Sequence, residues 1–171
     1  YCRHCFRKRL VGISDDEIAD NVAEMADYIR QHAEISNALI SGGDAFLNSN
    51  AVIRRYLEQF SDIKHLDLIR FGTRTPVVLP ELLETLQTYS QHKKIYVVTQ
   101  FNHPAELTGE AKKAVDALLN AGVVLKNQTV LLKGVNDDGR TMGELLKGLT
   151  RWGIAPYYIF QCRPVSGVGG H

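Results

Sequence analysis

The 171-residue sequence has few cysteines, no excess of one charge and no long apolar run. Three cysteines are too few for the disulfide framework that stabilises small secreted domains. Twenty basic against nineteen acidic residues leave a net charge of +1, which gives no support to a nucleic-acid or anionic-membrane partner. No apolar run approaches the roughly 18 residues of a membrane-spanning helix. With 44% hydrophobic and 23% charged residues, the chain has the composition of a folded globular domain.

Short apolar segments rich in β-branched and aromatic residues recur along the sequence at nearly even intervals. Their starts are separated by about 30 residues, which fits one strand, one helix and two loops. Apolar residues at helical spacing fill the stretches between them. The segments predict strands over residues 38–40, 66–71, 95–98, 123–125 and 157–160.

Capping signals predict where several of the helices begin and end. A capping box at residues 14–17 precedes a helical face that starts at Ile18. Pro80 suits the first turn of a later helix. Gly122 and Gly153 suit the position just after a helix, where the left-handed conformation is common.

Strands that alternate with helices of this length pair in parallel through right-handed crossovers. An open doubly wound sheet and a (β/α) barrel both fit this pattern. The even spacing, and the absence of a Gly-x-Gly-x-x-Gly turn after the first strand, favour the TIM-type barrel. A complete barrel needs about 250 residues. We therefore expect residues 1–171 to form a single α/β core domain that holds part of a barrel and belongs to a longer polypeptide.

Polar residues cluster directly after each predicted strand. In parallel βα proteins the carboxyl ends of the strands meet at one edge, where active sites are built. Loops are polar in any protein, but five such segments together favour an enzyme or a ligand-binding barrel. The segments are Ser41–Asp44, Gly72–Pro76, Thr99–Pro104, Lys126–Thr129 and Gln161–Pro164.

Several of these polar residues have a structural alternative to a ligand-binding role. Gly42 and Gly43 would let a backbone approach a ligand closely, or would only form a tight turn. Asp44 can accept a hydrogen bond from a ligand ammonium or cap the following helix. Arg74 can clamp a carboxylate or pair with a surface acid.

Two amides, a histidine and the cysteines complete the candidate set. Asn102 and His103 can donate to a ligand, although a lone loop histidine is more often solvated, and Gln128 can bind a ligand or join a buried hydrogen-bond network. Cys162, at the end of an apolar strand, has the properties of a small buried hydrophobe. The sharpest chemistry is Cys2-Arg-His-Cys5, because two thiolates at this spacing can ligate one zinc or iron–sulfur centre together with further ligands.

Six motifs resemble those of the lysine 2,3-aminomutase family of radical S-adenosylmethionine (SAM) enzymes. They occur over nearly the whole chain and in the order of that family. The motifs are Tyr1-Cys-Arg-His-Cys-Phe-Arg-Lys-Arg9, Ser41-Gly-Gly-Asp44, Gly72-Thr-Arg-Thr-Pro-Val-Val-Leu-Pro80, Phe101-Asn-His-Pro104, Asn127-Gln-Thr-Val-Leu-Leu-Lys-Gly-Val-Asn-Asp137 and Pro156-Tyr-Tyr158.

The resemblance implies parallel strands 2–6 of a radical SAM barrel with flanking helices, and a [4Fe–4S] cluster. In the family a Cys-x-x-x-Cys-x-x-Cys loop holds the cluster, and Cys2 and Cys5 match its last two cysteines. The first of the three would fall three residues before Tyr1. We therefore expect the first strand, that cysteine and a C-terminal pyridoxal phosphate (PLP) region to lie outside this chain.

The resemblance also implies roles for individual residues. His4 would pack near the SAM adenine, and Ser41, Gly42, Gly43 and Asp44 would receive the methionyl amino group. Arg7 would pair with the substrate carboxylate, and Cys162 matches a cysteine that can ligate a structural zinc. Positions that line the SAM and cofactor cavity are matched by Arg74, Asn102, His103 and Gln128.

The implied reaction is the isomerisation of an amino acid. The cluster reductively cleaves SAM to a 5′-deoxyadenosyl radical, which drives the PLP-assisted migration of the amino group from C2 to C3 of lysine or glutamate. The implied cofactors are the [4Fe–4S] cluster, SAM, PLP on a lysine outside this chain, and zinc. The implied partners are the amino acid substrate and an external electron donor. We expect a cytoplasmic enzyme, compatible with a homo-oligomer, without a nucleic-acid or membrane partner.

One departure from the family pattern bears on the substrate. The lysine-specific enzymes continue from the last strand with Cys-Asp-Leu, whereas this chain has Cys162-Arg-Pro-Val165, and a basic residue there hints at an acidic substrate such as glutamate. Two alternatives remain. One is an aminomutase that makes β-lysine for modification of a translation elongation factor, and the other is a non-catalytic metal-binding (β/α) domain that cleaves no SAM.

Overall fold

Five helices and five strands alternate in the computed structural model, which describes Cys5, residues 21–74 and residues 80–161. Two short 3-10 helices, Ala45–Leu47 and Pro104–Glu106, follow the first and third strands. The helices are α1 (Val22–Gln31), α2 (Asn50–Ser61), α3 (Pro80–Ser90), α4 (Gly109–Asn120) and α5 (Gly139–Arg151). The strands are β1 (Asn37–Ile40), β2 (Leu68–Gly72), β3 (Lys94–Thr99), β4 (Val124–Leu131) and β5 (Ala155–Gln161).

The predicted capping residues occupy the predicted positions in three helices. Pro80 is the first residue of α3, where its missing N–H breaks no helical hydrogen bond. Gly122 and Gly153 follow the ends of α4 and α5 with φ angles of 80° and 79°. This left-handed conformation is unfavourable for residues with a Cβ. Local chemistry therefore sets these helix boundaries.

Helix α1 begins later than its sequence pattern predicts. Its first residue is Val22, and the side chain of Asn21 caps it by accepting the Glu24 N–H at 3.3 Å. The pattern placed Ile18 on the same helical face. The predicted capping box at residues 14–17 lies outside the described residues.

The strands form one parallel sheet in the order β1-β2-β3-β4-β5. Each strand therefore pairs with the strand before it. A doubly wound sheet reverses its direction of growth at a switch point, and this order contains no reversal. Right-handed crossovers then place the connecting helices on one face of the sheet. The sheet and its helices form an α/β arrangement consistent with part of a TIM-type barrel, in agreement with the predicted fold.

The hydrophobic core lies between the helices and one face of the sheet. Strand residues that point toward the helices, such as Phe71 and Val97, are fully buried and pack in one cluster with apolar residues of all five helices. Burial of a side chain of this size contributes about 1.5–3 kcal/mol. We call the opposite side of the sheet the inner face. Residues of the inner face share rows in the parallel register and include Leu68, Arg70, Gly72, Lys94, Tyr96, Val98 and Lys126.

Strand β4 is longer than predicted. The pattern ended the apolar strand at residue 125 and placed Lys126–Thr129 directly after it, with Asn127 and Gln128 at the strand end, whereas the strand continues to Leu131. Asn127 and Thr129 point toward the helices, are each 1% exposed and are joined by a hydrogen bond of 2.9 Å. Because both find partners there, these polar residues extend the strand instead of ending it.

A β-bulge between β4 and β5 brings two neighbouring tyrosines together. Asn127 pairs with Pro156 and Gln128 pairs with Tyr158, so that Tyr157 is the extra residue. The ring centroids of Tyr157 and Tyr158 lie 4.0 Å apart. A bulge aims two successive side chains to the same side of a sheet.

Within the part of the chain that the structure describes, no helix is both long and apolar enough to cross a membrane.

Candidate active site

The polar segments after the first three strands lie at the same edge of the sheet. Thr73, just after β2, continues the ladder by donating its N–H to the Val98 carbonyl at 3.0 Å. A Cβ built on Gly72 would lie 3.8 Å from the Cβ of Ser41, which follows β1. The parallel order therefore brings together segments that are about 30 residues apart in sequence.

Asp44 ties the loops after β1 and β2 together. Its Oδ2 accepts the Arg74 N–H at 2.7 Å, and its Oδ1 accepts the Phe46 N–H at 3.0 Å as the cap of the first 3-10 helix. Both carboxylate oxygens are thus used by the backbone. Asp44 has the capping role that the sequence offered as its alternative, and its role toward SAM stays a prediction.

The loop after β3 is a capping box that orients His103. Glu106 Oε1 accepts the N–H groups of Asn102 and His103 at 2.9 and 3.0 Å, and His103 Nδ1 accepts the Ala105 N–H at 3.1 Å. Because Nδ1 is an acceptor, the neutral ring carries its proton on Nε2. His103 therefore presents an N–H donor, which suits its predicted contact with SAM.

Asn102 lies beneath the edge of the sheet. Its side chain is 3% exposed, and its Oδ1 accepts the Val130 N–H at 2.8 Å. Asn136, which is 0% exposed, donates to the Asn102 and Val130 carbonyls at 2.7 and 2.9 Å and accepts the Leu132 N–H at 2.7 Å. These two asparagines join the loops after β3 and β4. We expect Asn102 to position His103, and its own contact with SAM stays a prediction.

Two neighbouring amides in β4 serve different sides of the sheet. Asn127 Oδ1 accepts from the Phe101 N–H at 2.7 Å and from Thr99 Oγ1 at 2.9 Å, and its Nδ2 donates to the Phe101 carbonyl at 3.0 Å. Gln128 is half-buried on the inner face, and no hydrogen bond joins its side chain to another described residue. Asn127 is thus structural, whereas Gln128 lies on the inner face and its contact with SAM stays a prediction.

A cluster of cations and aromatic rings lies on the inner face, deeper in the sheet than the polar edge. Lys126 Nζ lies 4.9 Å from the ring centroid of Tyr96 and 4.3 Å from that of Tyr157. Arg70, in the same row as Tyr96, donates a hydrogen bond to Asn37 Oδ1. Cation–π contacts at these distances hold an ammonium group in place.

The phenols of Tyr157 and Tyr158 share a hydrogen bond that separates their pKa values. The Tyr158 hydroxyl donates to the Tyr157 oxygen at 3.3 Å. This bond lowers the pKa of Tyr157 below its usual value because it stabilises the phenolate, and the positive charges of Arg70 and Lys126 add to the effect. The same bond raises the pKa of Tyr158. The cluster thus favours negative charge on the Tyr157 oxygen.

Several predicted site residues fall outside the described residues, namely Cys2, His4, Arg7 and Cys162. Cys5 is described as half-buried with a free thiol. The described ranges contain no group of three or more His, Cys, Asp or Glu residues that could hold a metal ion. The cluster and zinc ligands therefore stay predictions.

Sequence reasoning missed some residues that shape this edge. The spacing of His103-Pro-Ala-Glu106 matches a capping box, and this pattern could have been recognised from the sequence alone. Asn136 carries no such signal, because its partners are a loop carbonyl 34 residues away and backbone groups of β4 and the loop after it. Lys126 was placed just after the predicted strand, whereas it lies within β4.

Comparison with known proteins adds an independent observation. The model of the radical SAM superfamily matches residues 1–146. The chain is 43% identical to the L-lysine 2,3-aminomutase of Fusobacterium nucleatum, over 95% of the chain and 39% of that protein. It is 41% identical to the L-lysine 2,3-aminomutase of Clostridium subterminale, over 95% of the chain and 40% of that protein. It is also 41% identical to the glutamate 2,3-aminomutase of Clostridioides difficile, over 98% of the chain and 40% of that protein. The chain thus spans less than half the length of each of these relatives.

Proposed function

The chain belongs to the radical SAM superfamily, and we propose that it forms the core of an amino acid 2,3-aminomutase. Membership of the superfamily implies a [4Fe–4S] cluster and SAM. The finer assignment is supported by relatives named for aminomutase activity that are 41% or 43% identical over nearly the whole chain. These relatives are named for either lysine or glutamate, so their names do not identify the substrate of this chain.

The described residues fit the two groups that the superfamily implies. Cys5 has a free thiol that is half-buried, and cysteine thiolates are the usual ligands of iron–sulfur clusters. We assign Cys2 and Cys5 as two cluster ligands, with a third cysteine outside this chain. The polar edge offers the donor of His103 Nε2 and the amide of Gln128 to SAM, and Ser41 lies at the same edge.

The cofactors supply chemistry that side chains lack: an electron from the cluster for SAM cleavage, and PLP to assist the migration of the amino group. The chain itself binds and orients. Asp44 holds the loop of Arg74, and the buried asparagines hold the loop of His103, so both loops are set before a ligand arrives. Zinc on Cys162 and a PLP lysine beyond this chain complete the proposal.

The convergence of these polar strand ends on one edge of a sequentially ordered parallel sheet carries the proposal. Its test uses the full-length protein, reconstituted anaerobically with iron and sulfide and reduced with dithionite. We expect SAM to yield 5′-deoxyadenosine, and lysine or glutamate to yield a β-amino acid. A protein that binds the cluster and leaves SAM intact would instead be a non-catalytic metal-binding domain.

Two cysteine variants separate the proposed metal sites. Cys5→Ala should lose cluster iron and 5′-deoxyadenosine formation while it keeps zinc. Cys162→Ala is the matched control, and should keep cluster iron while it loses zinc. Metal analysis of both variants reads the result directly. Full iron content and full activity in Cys5→Ala would remove Cys5 from the cluster.

A further inference from the structure

The five strands contain three cationic residues and no acidic residue. The cations are Arg70, Lys94 and Lys126, and the register places each of them in a row of the inner face. Positive charge on one side of a sheet, without acids among it, creates a potential that attracts anions. The inner face of the described strands is therefore suited to a negatively charged ligand.

Arg70 and Lys126 have no carboxylate partner among the described residues. The ion pairs found there all involve other side chains. Arg70 donates to Asn37, and its Nε is buried without a hydrogen-bond partner. The ammonium group of Lys126 lies over two rings, and no described residue accepts a hydrogen bond from it. Half-buried cations are costly until an anion compensates them.

Tyrosine rings connect these two cations into one site. Tyr96 stands beside Arg70 in the register and beneath the ammonium of Lys126. Tyr157 lies against Lys126 from β5, and both cations act on its phenol. Four successive strands thus contribute to one cluster, whose rings fix the ammonium and leave its N–H donors for a ligand.

We propose that Arg70 and Lys126 form an anion subsite on the inner face, and that it binds the side-chain carboxylate of an acidic amino acid substrate. This inference rests on the proposed aminomutase function. The family resemblance assigns Arg7 to the substrate carboxylate, so a second carboxylate needs a second cationic partner. The same face would repel the side-chain ammonium of lysine, which adds discrimination against a cationic substrate.

The test compares variants of the full-length reconstituted protein in equilibrium dialysis with radiolabelled L-glutamate, L-aspartate and L-lysine. Lys126→Met and Lys126→Gln remove the charge, and Lys126→Arg keeps it. Lys94→Met is the matched control, because it removes a cation from the same face at a position without ring contacts. Circular dichroism melting curves check that each variant is folded.

We expect the wild-type protein to bind an acidic amino acid more tightly than lysine. Loss of a charge-assisted hydrogen bond in the two neutral Lys126 variants should weaken that binding about 10- to 100-fold. Lys126→Arg should stay within a few-fold of wild type, and Lys94→Met should change little. KM for the same amino acid should follow the binding constants.

Three results would overturn the subsite. The Lys126 variants would weaken binding no more than Lys94→Met, or they would weaken SAM binding and spare the amino acid, or lysine would bind more tightly than either acid. Product formation distinguishes a failure of the anion subsite from a failure of the proposed aminomutase function. Formation of β-lysine without any use of glutamate or aspartate removes the subsite and keeps the aminomutase. Lys126-dependent binding of an acid without any β-amino acid product keeps the subsite and removes the aminomutase.

Discussion

Replacement of Asn136 by alanine should loosen the joint between the loops after β3 and β4. The side chain is 0% exposed and makes three hydrogen bonds, to the Leu132 N–H and to the carbonyls of Asn102 and Val130. Each such bond contributes about 0.5–1.5 kcal/mol net, and alanine leaves the three backbone groups unpaired. We therefore expect a local loss of about 3 kcal/mol.

Hydrogen exchange followed by mass spectrometry on the full-length protein measures this loss. A change of about 3 kcal/mol corresponds to roughly 100-fold faster exchange of the amides that the joint protects, including Leu132 and Val130. Asn120→Ala, at the exposed end of α4, is the matched control and should leave exchange unchanged.

The variant Asn136→Asp decides whether hydrogen bonding or volume is responsible. Aspartate has nearly the same size and keeps the acceptor for the Leu132 N–H. It loses both donated bonds and places a carboxylate oxygen against two carbonyl oxygens, so it should be at least as damaging as alanine. Wild-type protection in Asn136→Asp would refute the hydrogen-bond account.

Two further predictions concern the α5 glycines and the tyrosine pair. Gly143→Ala meets open space and should stabilise the protein by about 0.5–1 kcal/mol, whereas a Cβ at Gly148 would collide with Leu107, so Gly148→Ala should gain less or destabilise. Equal melting temperatures for the two variants would contradict this packing. Tyr158→Phe should raise the pKa of Tyr157, and Tyr157→Phe should lower that of Tyr158, because each loses the shared hydrogen bond. Difference absorbance titration at alkaline pH reads both shifts, and unchanged curves would remove the bond as their cause.

Features that depend on neighbours in sequence were predictable. Pro80, Gly122 and Gly153 stand where their own backbone preferences place them, and the even spacing of strands anticipated the parallel sheet. The length of β4 was not predictable, because the polar residue Asn127 belongs to the strand only through partners on another loop. A polar residue alone does not announce such a partner.

The candidate site likewise contains features that the sequence predicts and features that it does not. Ser41 and His103 lie at the predicted edge because the order of the strands requires it. The burial of Asn102 depends on a backbone group 28 residues away in β4, and local sequence gives no sign of it. The bulge at Tyr157 was equally hidden, because a period of two residues does not show where an extra residue enters a strand.

Asn127 has a consequence for how the strands find their alignment. A strand can slide along its neighbour by two residues and still turn the same face to the core, so a hydrophobic pattern alone tolerates that error. In β4 a slide that puts Leu125 in the place of Asn127 would remove the acceptor of the Phe101 N–H and a donor to the Phe101 carbonyl. The N–H would then be buried without this partner, at a cost of about 1–3 kcal/mol. The Asn127 side chain on the core side therefore favours the correct alignment of β4 over the slid one. That alignment also sets the position of every side chain that β4 carries on the inner face.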